Sequence, residues 1–349
     1  MYYYKQIVLL RYLFIGKYMK KNIFISCSLD KHIEHWTITK DYILSKKSIF
    51  TTTGRPQSLK YNKKNKLLYV GETISNKITT YKQYPHNKFK KIHETNVFHS
   101  PNYISLNKNK TILFVASFHG NEFKVCLLNS IGLINNIDYI IKNIQGCHCI
   151  KIHHKYKLIF VSALKENKIY IYKFYLKKNN IITIILKNIV HTEYNSGPRH
   201  IIFHPTNPYL YSINELNGTI NVWLINKKLV ILTLIQSISL ILNSPKHDFW
   251  ASDIHIHPNK KFLYACDRFN SIISFFSINR ITGLLVYIYT YKTILQPRSF
   301  CISKDGTILI VVGEISNTMM IYRINHNTGY LSVQEEISVG KNPLWVLTE

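Results

Sequence analysis

Leu67-Leu-Tyr-Val-Gly71 is an apolar run of strand length that ends on a small residue, and the same phrase returns along the chain. It reads Asn22-Ile-Phe-Ile-Ser26, Ile112-Leu-Phe-Val-Ala116, Leu158-Ile-Phe-Val-Ser162, Tyr209-Leu-Tyr-Ser-Ile213, Phe262-Leu-Tyr-Ala-Cys266 and Ile308-Leu-Ile-Val-Val312 elsewhere. A second strand-like phrase is anchored at Pro56, Pro101, Cys147, Pro198, Ala251, Pro297 and Pro343, at spacings of 45, 46, 51, 53, 46 and 46 residues. Third phrases follow, as in Ile33-Glu-His-Trp-Thr-Ile38 and Ile220-Asn-Val-Trp-Leu-Ile225. Turns between them carry Asn, Lys, Asp and Gly. A period of this length built from short strands, with no segment of helical period, is the signature of a β-propeller. The expected fold is therefore all-β: one seven-bladed β-propeller of four-stranded antiparallel blades. The chain starts in mid-blade and finishes on an anchor phrase. Its N- and C-terminal strands should therefore share a blade and close the ring, which removes two free sheet edges. The repeats lack the Gly-His and Trp-Asp dipeptides of WD40 arrays.

The length of 349 residues would allow two domains, but each repeat can bury its faces only against its neighbours, so the repeat argues for one. We assign residues 19–349 to the propeller and residues 1–18 to an extension outside it. Within that extension the apolar stretch Ile7 to Gly16 is broken by Arg11. It is too short for a membrane span and lacks a small-residue cleavage site. Met19 would be a natural start for the first strand. The run Leu229 to Leu242 carries Thr233, Gln236, Ser237 and Ser239, and fits an outer strand better than a membrane helix.

The formal charge is +27, from 45 Lys plus Arg against 18 Asp plus Glu. Such a surplus raises nucleic-acid or membrane binding. The lysines, however, are scattered through nearly every turn, and Lys, Asn, Ile, Tyr and Phe are all abundant, as in an AT-rich coding sequence. We expect neither a nucleic-acid nor a membrane partner, and a monomer. Six cysteines form no Cys-x-x-Cys pair. Four lie inside strand phrases, as buried thiols do, which suits a reducing cytoplasm.

Polar residues gather at equivalent places in the middle repeats, at the anchors and just after the second phrases. They are Gly146-Cys147-His148, Ala163-Leu164-Lys165, Gly197-Pro198-Arg199-His200, Asn214-Glu215, Ala251-Ser252-Asp253-Ile254-His255, Cys266-Asp267-Arg268 and Gln296-Pro297-Arg298. Three arginines, a histidine and a glutamate on one rim would suit an anionic substrate undergoing acid–base chemistry. The guanidinium fork holds two oxygens of a phosphate or carboxylate, and His or Glu moves a proton. Taken singly, each arginine reads as an inter-blade strut with a partner such as Glu215; the clustering favours a site. His255, His257 and Asp253 share a strand face, as do Cys147 and Cys149, but neither set makes a metal site by itself. No metal and no cofactor are expected.

From about Met19 onward these segments, together with Asn342-Pro343-Leu-Trp345, are similar to those of the bacterial 6-phosphogluconolactonases of the seven-bladed propeller type. Their wider lactonase family includes fungal carboxymuconate-cyclising enzymes. The resemblance implies metal-independent hydrolysis of 6-phospho-D-glucono-1,5-lactone in the oxidative pentose phosphate pathway. It implies catalytic roles for His148, Arg199, Glu215 and Arg268, with the base either His148 or Glu215. Arg298, His200, Asp253 and Lys165 are expected to bind substrate. The alternatives are a related lactonase or lactonising enzyme on another anionic acid, and a non-catalytic scaffold.

Overall fold

The computed structural model describes residues 20–176, 181–242 and 248–349. The extension expected over residues 1–18 lies outside them. The described chain forms seven four-stranded antiparallel sheets. Six are consecutive in sequence, and the seventh joins Pro343–Thr348 to Lys21–Cys27, His32–Ile38 and Leu44–Thr51. There Ile25 pairs with Val346 and Ser26 with Trp345, so the ends of the described chain close the ring as the repeat phase requires. We number this blade 1 and count onward.

The innermost strands of blades 1 to 7 are Pro343–Thr348, Arg55–Asn62, Tyr103–Leu106, Cys147–His153, Pro198–Phe203, Ala251–Ile256 and Pro297–Ile302. Each packs on the innermost strand of both neighbouring blades, which makes a closed barrel-like wall around a central channel. The second strands are the apolar phrases. Leu158–Ala163 and Phe262–Asp267 are buried along their whole length. A second strand lies between blades on both faces, so it reads as a continuous apolar run instead of an alternation. Outer strands face solvent and lose that pattern, as in Leu331–Ser338. The run at Leu229 to Leu242 contains the outer strand Ile231–Ser239.

Blades are stitched as well as packed. Tyr69, Tyr211 and Tyr264 occupy the same place in three second strands. Each donates its hydroxyl to a glycine carbonyl in the next blade's outer turn: Gly132 at 2.5 Å, Gly283 at 2.8 Å and Gly329 at 2.5 Å. At Gly283, φ is +71°, and a Cβ would sit 2.4 Å from the Tyr209 ring. Buried phenols find partners in this way because an unpaired hydroxyl inside the seam would be costly. The six cysteines are all free and buried. Among the described residues no helix is long and apolar enough to cross a membrane.

Candidate active site

Each innermost strand must turn into the channel wall at its anchor, and the ladder breaks there. Register shifts fall at Pro56/Leu59, Cys147/Cys149, Pro198/Ile201, Ala251/Asp253 and Pro297/Ser299. A bulge re-aims the side chain that it carries. The residue after the anchor is Gln57, Asn102, His148, Arg199, Ser252, Arg298 or Leu344 in turn, and five of these seven face one cavity. The left-handed Gly197 (φ +65°) brings the chain into the Pro198 anchor, where a Cβ would meet Leu216. Bulges free carbonyls, and the preceding blade satisfies them. Ser26 donates to Gln57 O at 2.8 Å, Asn102 to His148 O at 2.8 Å, Ser162 to Arg199 O at 2.6 Å and Ser252 to Pro297 O at 2.7 Å. The site residues are therefore held by seams, not by single blades.

The cavity measures about 570 Å³. His148, Arg199, Glu215, Arg268 and Arg298 all line it, with Gln57, Asn76, Asn102, Phe118 and Trp250 among their neighbours. Glu215 stands one residue past its second strand and crosses the seam between blades 5 and 6. Its Oε2 accepts from Arg268 Nη2 at 2.8 Å. Arg199 Nε is also 2.8 Å from that oxygen, a charge contact whose angle falls short of a hydrogen bond. Arg199 and Arg268 are almost wholly buried; Glu215 is the more exposed partner. Arg268 also donates to Trp250 O at 3.1 Å and lies 3.8 Å over the Trp250 ring. Arg298 pairs with Glu314 at 3.1 Å. Three guanidiniums thus meet two carboxylates, and the cavity is left positive.

His148 is 7% exposed, and its Nδ1 has no partner among the described residues. Burial, reinforced by the neighbouring guanidinium of Arg199, holds its imidazole well below the usual range, so it is neutral at pH 7. Burial, then Arg199, pulls Arg268 down to about 9, still protonated at neutral pH.

His200 and Asp253 do not line this cavity. They line a smaller one of about 120 Å³ deeper in the channel, with Lys60, Lys151 and Trp345. Lys165 is exposed at the rim, with its Nζ 5.0 Å over the Phe118 ring. The sequence reading missed Gln57, Asn102 and Trp250. The first two carry a signal, since they follow anchors as His148 and Arg199 do. His204 and His257 serve as turn openers: His204 Nδ1 accepts from Asn207 N at 3.0 Å, and His257 Nε2 meets Gly306 O at 2.8 Å. In blade 1, Cys27, His32 and Glu34 bring ligand-type atoms within 4.8 Å of one another. Glu34 is already neutralised by Lys46 at 2.9 Å and bonded by Trp36 at 2.7 Å, which makes this an ion-paired hairpin.

The sequence pattern of the seven-bladed β-propeller lactonases matches residues 12–348, beginning ahead of Met19. A 6-phosphogluconolactonase of Buchnera aphidicola subsp. Acyrthosiphon pisum is 45% identical over 94% of this chain and 98% of its own. One from Buchnera aphidicola subsp. Schizaphis graminum is 35% identical over 94% and 98%. The periplasmic gluconolactonase of Pseudomonas aeruginosa superposes with a TM-score of 0.85 at 18% identity, covering 94% of this chain and 99% of that one.

Proposed function

This chain belongs to the seven-bladed β-propeller lactonase family, and we propose that it hydrolyses 6-phospho-D-glucono-1,5-lactone to 6-phosphogluconate. The observation that carries the reading is the cavity itself: three guanidiniums, one shared carboxylate and a neutral histidine in one positive chamber. A sugar phosphate lactone brings a phosphate dianion and develops an oxyanion on its carbonyl when water attacks. Fixed positive groups aimed at that charge supply the largest part of such catalysis.

Arg298, with Lys165 at the rim, takes the phosphate. Arg199 and Arg268 face the developing oxyanion. Both contact Oε2 of Glu215, and no described residue hydrogen-bonds Oε1, which is the edge offered to a water. Glu215 is the base: it removes a proton as the water oxygen bonds to the lactone carbonyl carbon. It returns that proton to the ring oxygen as the bond from that carbon to the ring oxygen breaks. His148 is a poor base, because burial and the guanidiniums disfavour its imidazolium. It serves as a neutral hydrogen-bonding group on the substrate.

Six buried free thiols and a phosphorylated substrate support a cytoplasmic enzyme. Closure of the ring turns every innermost strand towards the central channel and away from the outer surface, which supports a monomer. Lysines scattered over the turns support the absence of a nucleic-acid partner. The test is lactone consumption after enzymatic oxidation of glucose 6-phosphate, corrected for spontaneous hydrolysis. Purified protein should accelerate the decay and prefer the phosphorylated lactone over glucono-1,5-lactone. An equal rate on both would point to another anionic or neutral lactone as the substrate.

A further inference from the structure

We infer that His200 and Asp253 act as a positioning pair beneath the active site, fixing the Arg199 guanidinium against Glu215 without touching substrate. The inference deepens the lactonase reading and rests on it.

Asp253 is 4% exposed and its carboxylate is fully engaged. Oδ1 accepts from His200 Nδ1 at 2.7 Å and Ile254 N at 2.9 Å; Oδ2 accepts from Phe300 N at 3.2 Å and Ser299 Oγ at 3.3 Å. His255 Nε2 is also 3.3 Å from Oδ2. Backbone and hydroxyl donors from blades 6 and 7 therefore clamp this group. A carboxylate so placed can only accept, so His200 must carry its proton on Nδ1. That leaves Nε2 as a lone pair, and Arg199 Nη1 lies 3.1 Å from it. The opposite tautomer would aim an N–H at a cation. The His200 ring is locked by edge-on contact with Tyr103 at 5.2 Å and lies 6.0 Å from Trp345.

One terminal nitrogen of Arg199 is thereby fully engaged. Nη1 also donates to Ser252 O, and the Arg199 carbonyl is held by Ser162. With Nη1 anchored on two acceptors, the guanidinium is held with its Nε against Glu215, and Nη2 is left for the developing oxyanion. The chain Asp253–His200–Arg199–Glu215 thus runs from the deep channel to the reacting centre. The bulge between Pro198 and Ile201 makes it possible, by giving Arg199 to the large cavity and His200 to the deep one. A site oriented through second contacts of this kind loses rate when the support goes, since small misplacements of a catalytic group cost up to about 10²-fold.

The test uses the whole chain. His200→Phe keeps the ring and removes the acceptor. It should lower kcat about 10- to 100-fold while KM for the phosphorylated lactone stays within about threefold. His200→Gln, whose amide oxygen can accept from Arg199, should recover most of that loss. A rise in KM at unchanged kcat would instead make His200 a substrate contact and overturn the inference, as would wild-type kcat in His200→Phe. Nitrogen NMR of ¹⁵N-labelled histidines in the unmodified protein gives an independent reading. His200 should show a protonated Nδ1 and a bare Nε2, and Asp253→Asn should disturb that state. A protonated Nε2 in the wild type would refute the pair whether or not the variants fold. If the wild type consumes no lactone, the functional reading fails while the tautomer measurement still decides the pair.

Discussion

Replacing Glu215 with Gln keeps the shape of the side chain and removes the one charge shared by two buried guanidiniums, so three quantities should move in a distinctive pattern. Turnover should fall about 10²- to 10⁴-fold, the range for loss of a positioned general base. Anion binding should move the other way. A carboxylate about 6 Å from a bound phosphate at an effective dielectric of about 20 repels each unit of its charge by roughly 3 kcal/mol. Water in an open cavity reduces that to about 1–2 kcal/mol, so 6-phosphogluconate should bind about tenfold more tightly. Stability should drop, because Arg199 and Arg268 lose a counter-ion. Breaking a fully buried pair costs about 3–5 kcal/mol. Glu215 is 15% exposed at the cavity wall, which puts the loss nearer 1–3 kcal/mol. Lactone decay, titration calorimetry with 6-phosphogluconate and a urea melt measure the three. An inter-blade strut would give the stability loss alone. If Glu215→Gln keeps kcat within about threefold, or weakens product binding in step with kcat, the assignment of Glu215 as base is wrong.

Tyr264→Phe removes the hydroxyl that meets Gly329 O in the seam between blades 6 and 7. It should cost about 1–2 kcal/mol in a denaturant melt and leave kcat unchanged. His35 is fully buried and stacked 4.8 Å from Phe24, and burial pushes its imidazole down to about 4. Its folded form stays neutral while the unfolded chain takes up a proton near pH 6.5, so its contribution is complete above pH 6.5 and is lost as pH falls towards 4. His35→Phe should therefore flatten the acid side of the stability profile, by at most about 1.4 kcal/mol per pH unit, without changing activity. The dispersed lysines should bind nucleic acid weakly and without sequence preference, and lose it at moderate salt in a filter assay. Salt-resistant binding to a defined RNA would point to a dedicated basic site.

The blades were legible in sequence because their second strands are sandwiched on both faces, which turns each into a short unbroken apolar run at a fixed period. Phe262–Asp267 and Leu158–Ala163 show why. The closing blade followed from the phase of the repeat alone, since repeats whose first recognisable phrase is a second strand owe a first strand from elsewhere. The site was legible only in part. Charged residues at the anchors drew attention to His148, Arg199 and Arg298. The same rule of position would have added Gln57 and Asn102, whose neutral side chains raised no alarm. Trp250 precedes its anchor, and its contact with Arg268 depends on a seam that no local pattern encodes. His200 and Asp253 neighbour anchors and so read, in sequence, as substrate contacts. Bulges between Pro198 and Ile201 and between Ala251 and Asp253 break the two-residue alternation, and this sends them into the deeper channel.

The arrangement also bears on why the proposed catalytic groups come from blades 4 to 6. Three of the contacts that fix them cross a seam: Ser162 of blade 4 to Arg199 of blade 5, Arg199 to Ser252 of blade 6, and Arg268 of blade 6 back to Glu215 of blade 5. The bulges that aim the anchor residues leave carbonyls that a neighbouring blade satisfies, as Ser162 does for Arg199 O and Ser252 for Pro297 O. Blade 1, assembled from the two ends of the described chain, contributes no side chain to the large cavity. The proposed catalytic residues thus lie on blades that are continuous in sequence, apart from the one blade that is closed by strand pairing. Three guanidiniums in a buried chamber are costly to assemble, and the carbonyls of Ser252 and Trp250 together with Glu215 and Glu314 offset that cost without cancelling the charge. The surplus that remains is what an anionic lactone would meet on the proposed mechanism, so contacts that stitch blades 5 and 6 together would also shape the field that activates the substrate.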